Sequence, residues 1–390
     1  MNAHPAGCAK EVLLQKEVVE KVSFPRRGPE TVLIVGGSTG YGLAARLVSA
    51  FGYGAETISI SYEKEASDLR PGTPGWYNSR AFDMLAKKAG LPSVSINADA
   101  FSHSTRQEVV DLLRKKGLKI DLLIYSLASG VRPDPETGTL YRSSLKPLGQ
   151  TYTTRSVDFM QNTISTVSLE PATEEETADT VKVMGGEDWR LWVNSLRDSG
   201  LIGDSFKTVA FSYIGPEITH AIYRSGTIGR AKEDLEKTAR EMNTELAPAG
   251  GEAYVSINKA VVTRASAVIP AVPLYIALLF SVMKEKGIHE GCVEQMIRLF
   301  RDRLYTEGKI PVDEEQLIRL DDLEMREDVQ GEVSRRWNLV TEENLTELAD
   351  MDGFREDFLR IHGFAVPGVD YDQEVDFSDI LDEWLQPQEG

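Results

Sequence analysis

The feature that most constrains this chain is a glycine-rich turn, Gly36-Gly37-Ser38-Thr39-Gly40-Tyr41-Gly42, set between an apolar run at 31–35 and a helical pattern at 41–50. Glycines at a strand-to-helix turn let the backbone fold back tightly and bring helix N–H groups up to a phosphate. Three more strand-like runs follow at 57–62, 93–97 and 120–126, separated by helical patterns at 76–89 and 104–116. Strands joined by helix-length crossovers pair in parallel, so this rhythm predicts an α/β fold around a parallel sheet.

After Ser129 the rhythm breaks into a polar and aromatic segment through Pro171, with Gly138 and Gly149 as turn markers, which reads as an insertion carrying hairpins. Helical patterns at 174–184 and 188–198 lead to a strand-like run at 208–213, a helix at 227–243 and a strand at 253–257, so the sheet resumes. The organisation expected is an N-terminal helical segment at 1–29 with its helix at 10–22, a core at 30–264 with the insertion at about 130–172, and a helical region at 265–390 packed on that core. The final stretch with Glu374, Asp376, Asp379, Asp382 and Glu383 reads as solvated surface. An uncharged run at 265–283 is long enough to span a bilayer, yet it contains Pro270, Pro273, Ser266 and Ser281 and ends on Lys284, Glu285 and Lys286. A buried core helix is the reading there, and no membrane partner is expected.

A net charge of −18 repels a polyanion, and no Lys/Arg stretch interleaves with aromatics, so nucleic acid is not an expected partner. Cys8 and Cys292 cannot build a disulfide framework and no apolar leader opens the chain, which points to the cytoplasm. His289 with Cys292, sharing a helix face, and His4 with Cys8 are two-residue sets without a closing cluster, so no metal is expected.

Glu63 stands just past the second strand-like run, about twenty residues beyond the turn, where a carboxylate can accept from ribose hydroxyls. Such a carboxylate repels a 2′-phosphate and favours NADH over NADPH, while Lys64 beside it leaves a solvated Glu-Lys pair as the other reading. Residues 36–40 also spell G-x-S-x-G, the nucleophile elbow of α/β-hydrolases, with Ser38 as nucleophile and His103, His220, His289 or His362 as nominal bases. Against the hydrolase, Ser38 follows the first strand with only a helical segment ahead of it. A non-catalytic NAD(H)-binding module is a third reading, since fold does not fix function.

A reductase needs a donor at the oxygen where charge develops as hydride arrives, and a Tyr beside a Lys supplies one, as in short-chain dehydrogenases. Tyr305 and Lys309 have a Y-x3-K spacing, in a Gly-containing loop far beyond the sheet pattern. Tyr275 and Lys284 have Y-x8-K spacing, but on one continuous helix at about 100° per residue they fall on opposite faces. Tyr223 and Lys232 have the same spacing with Gly226 and Gly229 between them, so Tyr223 can lie on a loop and Lys232 on the early turns of the next helix. There the ammonium is expected to lower the Tyr223 pKa and to bond the nicotinamide ribose. Tyr213 closes the strand-like run at 208–213 as a second phenol near the substrate, or as a half-buried strand tyrosine.

The stretch YRSGTIGRAK at 223–232, with HPAGC at 4–8, GTPGWYN at 72–78, KVMGGEDW at 182–189, SYIGPE at 212–217, INKAVVTRASAVIP at 257–270 and VMKEKGIHEGC at 282–292, resembles the FabV-type enoyl reductases, also called trans-2-enoyl-CoA reductases. The resemblance covers nearly the whole chain. It implies a Rossmann-type doubly wound parallel sheet with an inserted segment and extra C-terminal helices forming an acyl site. It implies NADH-dependent reduction of the C2=C3 bond of trans-2-enoyl thioesters in fatty acid synthesis, on enoyl-CoA or enoyl-acyl carrier protein, by a monomer. Tyr223 is then the proton donor, Lys232 lies on the cofactor and Tyr213 is near the substrate carbonyl. By position, the NADH contacts are Gly36, Gly37, Ser38, Thr39, Gly40, Tyr41, Tyr62, Glu63, Asp99, Ala100, Leu127, Ala128, Val261, Val262 and Thr263. Members of that family carry a short segment ahead of HPAGC, whereas Met1 stands almost on it here, which leaves two readings: a missing edge strand or hairpin, with cofactor affinity or stability reduced, or a start assigned late.

Overall fold

The computed structural model describes residues 3–67, 69–264, 266–375 and 377. Helix α1 (Pro5–Glu20) is followed by β1 (Thr31–Val35), α2 (Gly40–Leu47), β2 (Glu56–Ser61), α3 (Pro74–Lys88), β3 (Ser93–Asn97), α4 (His103–Lys116) and β4 (Ile120–Tyr125). Two antiparallel hairpins come next, β5 (Val131–Pro133) with β6 (Leu140–Arg142) and β7 (Tyr152–Asp158) with β8 (Thr163–Leu169). Helices α5 (Glu174–Met184) and α6 (Glu187–Asp198) lead to β9 (Ile202–Ser212), α7 (Glu217–Tyr223), α8 (Thr227–Leu246) and β10 (Glu252–Ile257). Beyond them lie α9 (Val272–Glu285), α10 (Cys292–Arg298), β11 (Ile318–Arg319), α11 (Glu327–Leu339), α12 (Leu345–Leu348) and α13 (Met351–Ile361).

Seven strands form one parallel sheet in the order β11-β10-β9-β4-β1-β2-β3. The chain winds outward from β1 to β3, then re-enters beside β1 with β4, which is the doubly wound α/β arrangement. Ligands of such sheets bind at the carboxyl ends of the strands, where the winding reverses. Alternate side chains of each strand feed opposite cores. Val32, Ile34, Leu122 and Ile124 pack with α1, α2 and α3, whereas Leu33, Val35, Leu123 and Tyr125 pack with α4, α6 and α8. A third core surrounds α9, whose Leu274 to Met283 stretch is buried but for Ser281 against α11, α13 and the β7-β8 hairpin.

Several boundaries differ from the expectation. Helix α1 begins at Pro5, ahead of residue 10, because His4 caps it: the Gly7 N–H donates to His4 Nδ1 at 3.1 Å and Pro5 supplies the preset first position. Strand β9 starts at Ile202, well before 208, and closes on Ser212. The region beyond 261 is mostly helical, and the strand not expected there is β11, which pairs with Ser256 and Ile257 and completes the sheet. The uncharged run is a tight turn at Ser266–Val268, then Ala271 at a φ of 69°, then α9. Ala265, Asp376, Asp379, Asp382 and Glu383 lie outside the described residues. Among the described residues no helix is long and apolar enough to cross a membrane.

The first helix is clasped to the far end of the chain, with His4 N–H donating to His362 O at 2.9 Å. A Cβ on Gly7 would lie 1.7 Å from Gly363 O, so the backbones meet where only glycine fits. Gly7→Ala is expected to destabilise the fold by about 1–3 kcal/mol through overpacking, read as a lower urea midpoint with an unchanged slope. An unchanged midpoint would mean that the clasp is not formed in solution.

Candidate active site

Because every strand of the sheet runs the same way, the residues that follow β1, β2, β3, β4, β9 and β10 share one edge. That edge collects Gly36 to Tyr41, Tyr62 and Glu63, Asp99 and Ala100, Leu127 and Ala128, Tyr213, and Val261 to Thr263. Gly36 has a φ of 93°, and a Cβ there would come within 2.5 Å of Ser126 O. A Cβ on Gly42 would come within 2.0 Å of Gly36 O, so the turn closes only with glycine at both positions. Thr39 precedes α2 without a side-chain cap, which leaves the first helical N–H groups for an anion. This cradle fits a dinucleotide pyrophosphate.

Glu63 is half-buried and, among the described residues, makes no ion pair with Lys64. Its Oε1 accepts the Ser38 hydroxyl at 2.7 Å and its Oε2 accepts the Thr73 hydroxyl, so it ties the glycine turn to the start of α3. A Cβ on Gly75 would lie 2.1 Å from Glu63 Oε1, which explains the second glycine in GTPGWYN. Asn78 Nδ2 adds a bond to Ser38 O at 3.0 Å. Each carboxylate oxygen keeps a further lone pair for a ribose hydroxyl. Tyr62 is 81% exposed, Ala128 is exposed, and Leu127 and Asp99 are half-buried. Val261 and Val262 are buried and Thr263 bonds Ser266 through its hydroxyl. The Ala100 carbonyl is held by Trp192 Nε1 at 3.1 Å and by Arg106, itself paired with Asp188 at 3.0 Å.

Tyr223 is the last residue of α7 rather than part of a loop, and Lys232 lies in the second turn of α8. The break at 224–226 folds tightly, since a Cβ on Gly229 would come within 2.0 Å of Arg224 O. The Tyr223 ring meets that of Tyr213 edge-on, with centroids 4.9 Å apart. Burial raises the Tyr223 phenol above its ordinary value of 10, with no cation among the causes, so the expected lowering by Lys232 is not found. Lys232 is itself pushed down to about 8 by burial, partly opposed by Glu236. Since kcat/KM reports groups of the free enzyme, kcat/KM for NADH is expected to fall as pH rises through about 8 and Lys232 loses its charge. A profile flat beyond that pH would remove Lys232 from cofactor binding.

Of the other spacings, Lys284 pairs with Asp350, away from Tyr275, and Tyr305 packs at a tilt against Tyr53 and Phe300 beside a core. Tyr275 nevertheless belongs to the site, because its hydroxyl and that of Tyr213 both donate to the buried carboxylate of Glu324. Lys259 is also there, buried, with its carbonyl accepting the Tyr41 hydroxyl at 2.7 Å. Sequence reasoning missed Tyr275 and Glu324; Lys259 lay inside the INKAVVTRASAVIP stretch without an assigned part. Ser38 has Glu63 as its partner and no histidine bonds to it among the described residues, so the hydrolase arrangement is not formed. His289 precedes α10 and does not share a helix face with Cys292. Among the described residues no three His, Cys, Asp or Glu side chains gather to hold a metal.

The parallel sheet, the glycine cradle and the Tyr/Lys pair at its carboxyl edge define a dinucleotide-dependent oxidoreductase. The chain belongs to the trans-2-enoyl-CoA reductase family: residues 70–305 match the catalytic region of trans-2-enoyl-CoA reductase and residues 1–68 match its NAD(P)H binding domain. It is 53% identical over 382 residues to the enoyl-[acyl-carrier-protein] reductase [NADH] of Coxiella burnetii, covering 97% of this chain and 94% of that one. It is 52% identical to the trans-2-enoyl-CoA reductase [NADH] of Treponema denticola, covering 98% and 97%. The crystal structure of a Treponema denticola trans-2-enoyl-CoA reductase in complex with NAD superposes with a TM-score of 0.95 at 52% identity, covering 98% of this chain and 97% of that one. The chain is an oxidoreductase, and the non-catalytic reading falls away.

Residues 312–375 match an enoyl reductase FAD binding domain, but the side chains there do not suit a flavin dinucleotide. The segment has no glycine-rich phosphate turn, and Glu327 and Asp328 occupy the first turn of α11, where they repel a pyrophosphate. The cavity of about 340 Å³ beside α13 carries Asp350, Asp352 and Glu285 on its wall, with Lys284 as its cation already paired with Asp350.

Proposed function

We propose that this chain reduces the C2=C3 bond of trans-2-enoyl thioesters with NADH, using Tyr223 as proton donor and Lys232 as the cation on the cofactor. The observation that carries this reading is the half-buried Tyr223 phenol, packed on Tyr213 at the same sheet edge as the glycine cradle. When bound, the dinucleotide supplies the hydride that adds to the β-carbon. As charge moves onto the thioester oxygen, the Tyr223 O–H donates to it, and burial keeps that phenol protonated and able to do so. Lys232 holds ribose hydroxyls through its ammonium, and the cradle from Gly36 to Tyr41 orients the pyrophosphate. Helix α9, apolar and buried, walls the site against water and suits an acyl chain.

Relatives are named for acyl carrier protein and for CoA as carrier, and both present the same thioester to these residues. Two free cysteines fit a reducing cytoplasm, and we read the working form as a monomer, to be checked by light scattering. The test of the main reading is NADH and NADPH absorbance on mixing with crotonyl-CoA and crotonyl-acyl carrier protein. NADH oxidation matched by the saturated thioester is expected, with NADPH much the poorer because Glu63 faces the ribose region. Free thiol without NADH loss would sink the reading.

A further inference from the structure

Glu324 lies on the turn between β11 and α11 with no solvent exposure, in a segment where Asp321 is buried on Arg319 and Asp322 is exposed. A buried carboxylate is costly unless donors meet its lone pairs. Here three do: Oε1 accepts the hydroxyls of Tyr275 at 2.6 Å and Tyr213 at 3.2 Å, and Oε2 accepts the Ala260 N–H at 2.8 Å. The Gln330 amide braces the pair, donating to Tyr275 Oη at 3.1 Å and to Glu324 O at 2.7 Å. The peptide next to Ala260 is fixed in turn by Tyr41, whose hydroxyl reaches Lys259 O, and by Gln295, which accepts from Lys259 N–H.

With its hydrogen given to Glu324, Tyr213 presents to the site its ring and an oxygen lone pair. Tyr223, edge-on to that ring, is left as the phenol whose hydrogen is free. We propose that Glu324 is a positioning residue for the reduction: anchored by the Ala260 N–H, it fixes Tyr213, and through the Tyr213 ring it sets the direction of the Tyr223 hydroxyl. The proposal rests on the reductase reading above.

Glu324→Gln keeps the size and one acceptor oxygen but turns amide hydrogens toward a donor, so the Tyr213 ring loses its fixed anchor. The expected result is a drop in kcat with crotonyl-CoA of about tenfold or more, with KM for NADH changed by less than about twofold. In a Tyr213→Phe background the bond through which Glu324 acts is already gone, and the same substitution is expected to lower kcat by less than about twofold further. If Glu324→Gln does not fold, Glu324→Asp, which keeps the charge but draws Oε1 back from Tyr213, carries the same expectation in both backgrounds. The unsubstituted chain is assayed first, since its failure to oxidise NADH counts against the reductase reading alone. With an active parent, a folded variant that keeps its kcat, or that loses the same factor with and without Tyr213, overturns the proposal.

Discussion

A Tyr223→Phe chain is expected to lose about 10²- to 10³-fold in kcat with crotonyl-CoA and NADH, the loss that follows removal of one donor from an oxyanion site. The ring that packs on Tyr213 remains, and the hydroxyl makes no hydrogen bond among the described residues, so the melting temperature should hardly move. KM for NADH should stay within about twofold, because the lost interaction forms in the transition state and not with the cofactor. Tyr213→Phe gives the contrast. Its hydroxyl hydrogen is engaged by Glu324, so a smaller loss is expected. Steady-state NADH absorbance decides between the two phenols: if Tyr213→Phe is the more damaging variant, the donor has been assigned to the wrong ring.

The phosphate edge of this site was readable in the sequence because its constraints are local. Gly36 and Gly42 answer to contacts within a few residues or on the adjoining strand, and such steric demands leave glycines in a recognisable order. Glu63 was readable only as an acidic residue in the right place. Its bonds to Ser38 and Thr73 depend on α3 folding back over the turn, which the spacing alone does not disclose. Tyr275 was set aside because it was tested only against Lys284, nine residues on; its partner is Glu324, brought in by a turn forty-nine residues away. Glu324 itself looked like any other acid in a region rich in them, since the burial of Glu324 and Asp321 beside exposed Asp322, Glu327 and Asp328 leaves no local trace. The same limit hid β11, whose two residues are too short to show a period of two. The place of Tyr223 and Lys232 after the strand-like run at 208–213, with glycines between them, singled out the pair and the resemblance to a family gave it roles; spacing alone could not have separated it from Tyr275 and Lys284.

Lys232→Met is expected to remove most turnover and, at neutral pH, to make the fold more stable. Burial brings Lys232 down to about 8 from an ordinary 10.5, with the nearby Glu236, already paired with Arg224, offsetting part of the effect. Between those two values the unfolded chain binds a proton that the folded chain has lost, so stability rises as pH climbs through that window. Below about 8 the charged amine stays buried at full cost, of the order of 1–3 kcal/mol after allowing for partial solvent access. Methionine has a similar length and no charge to bury. Denaturant midpoints of both proteins, at pH values below 8 and near 10.5, should therefore differ most at the lower pH and converge at the higher. A variant that is inactive yet more stable at neutral pH would mean the lysine is kept for the cofactor at the expense of the fold. One that is inactive and less stable would mean that Lys232 is a structural residue, and the loss of turnover would say nothing about ribose binding.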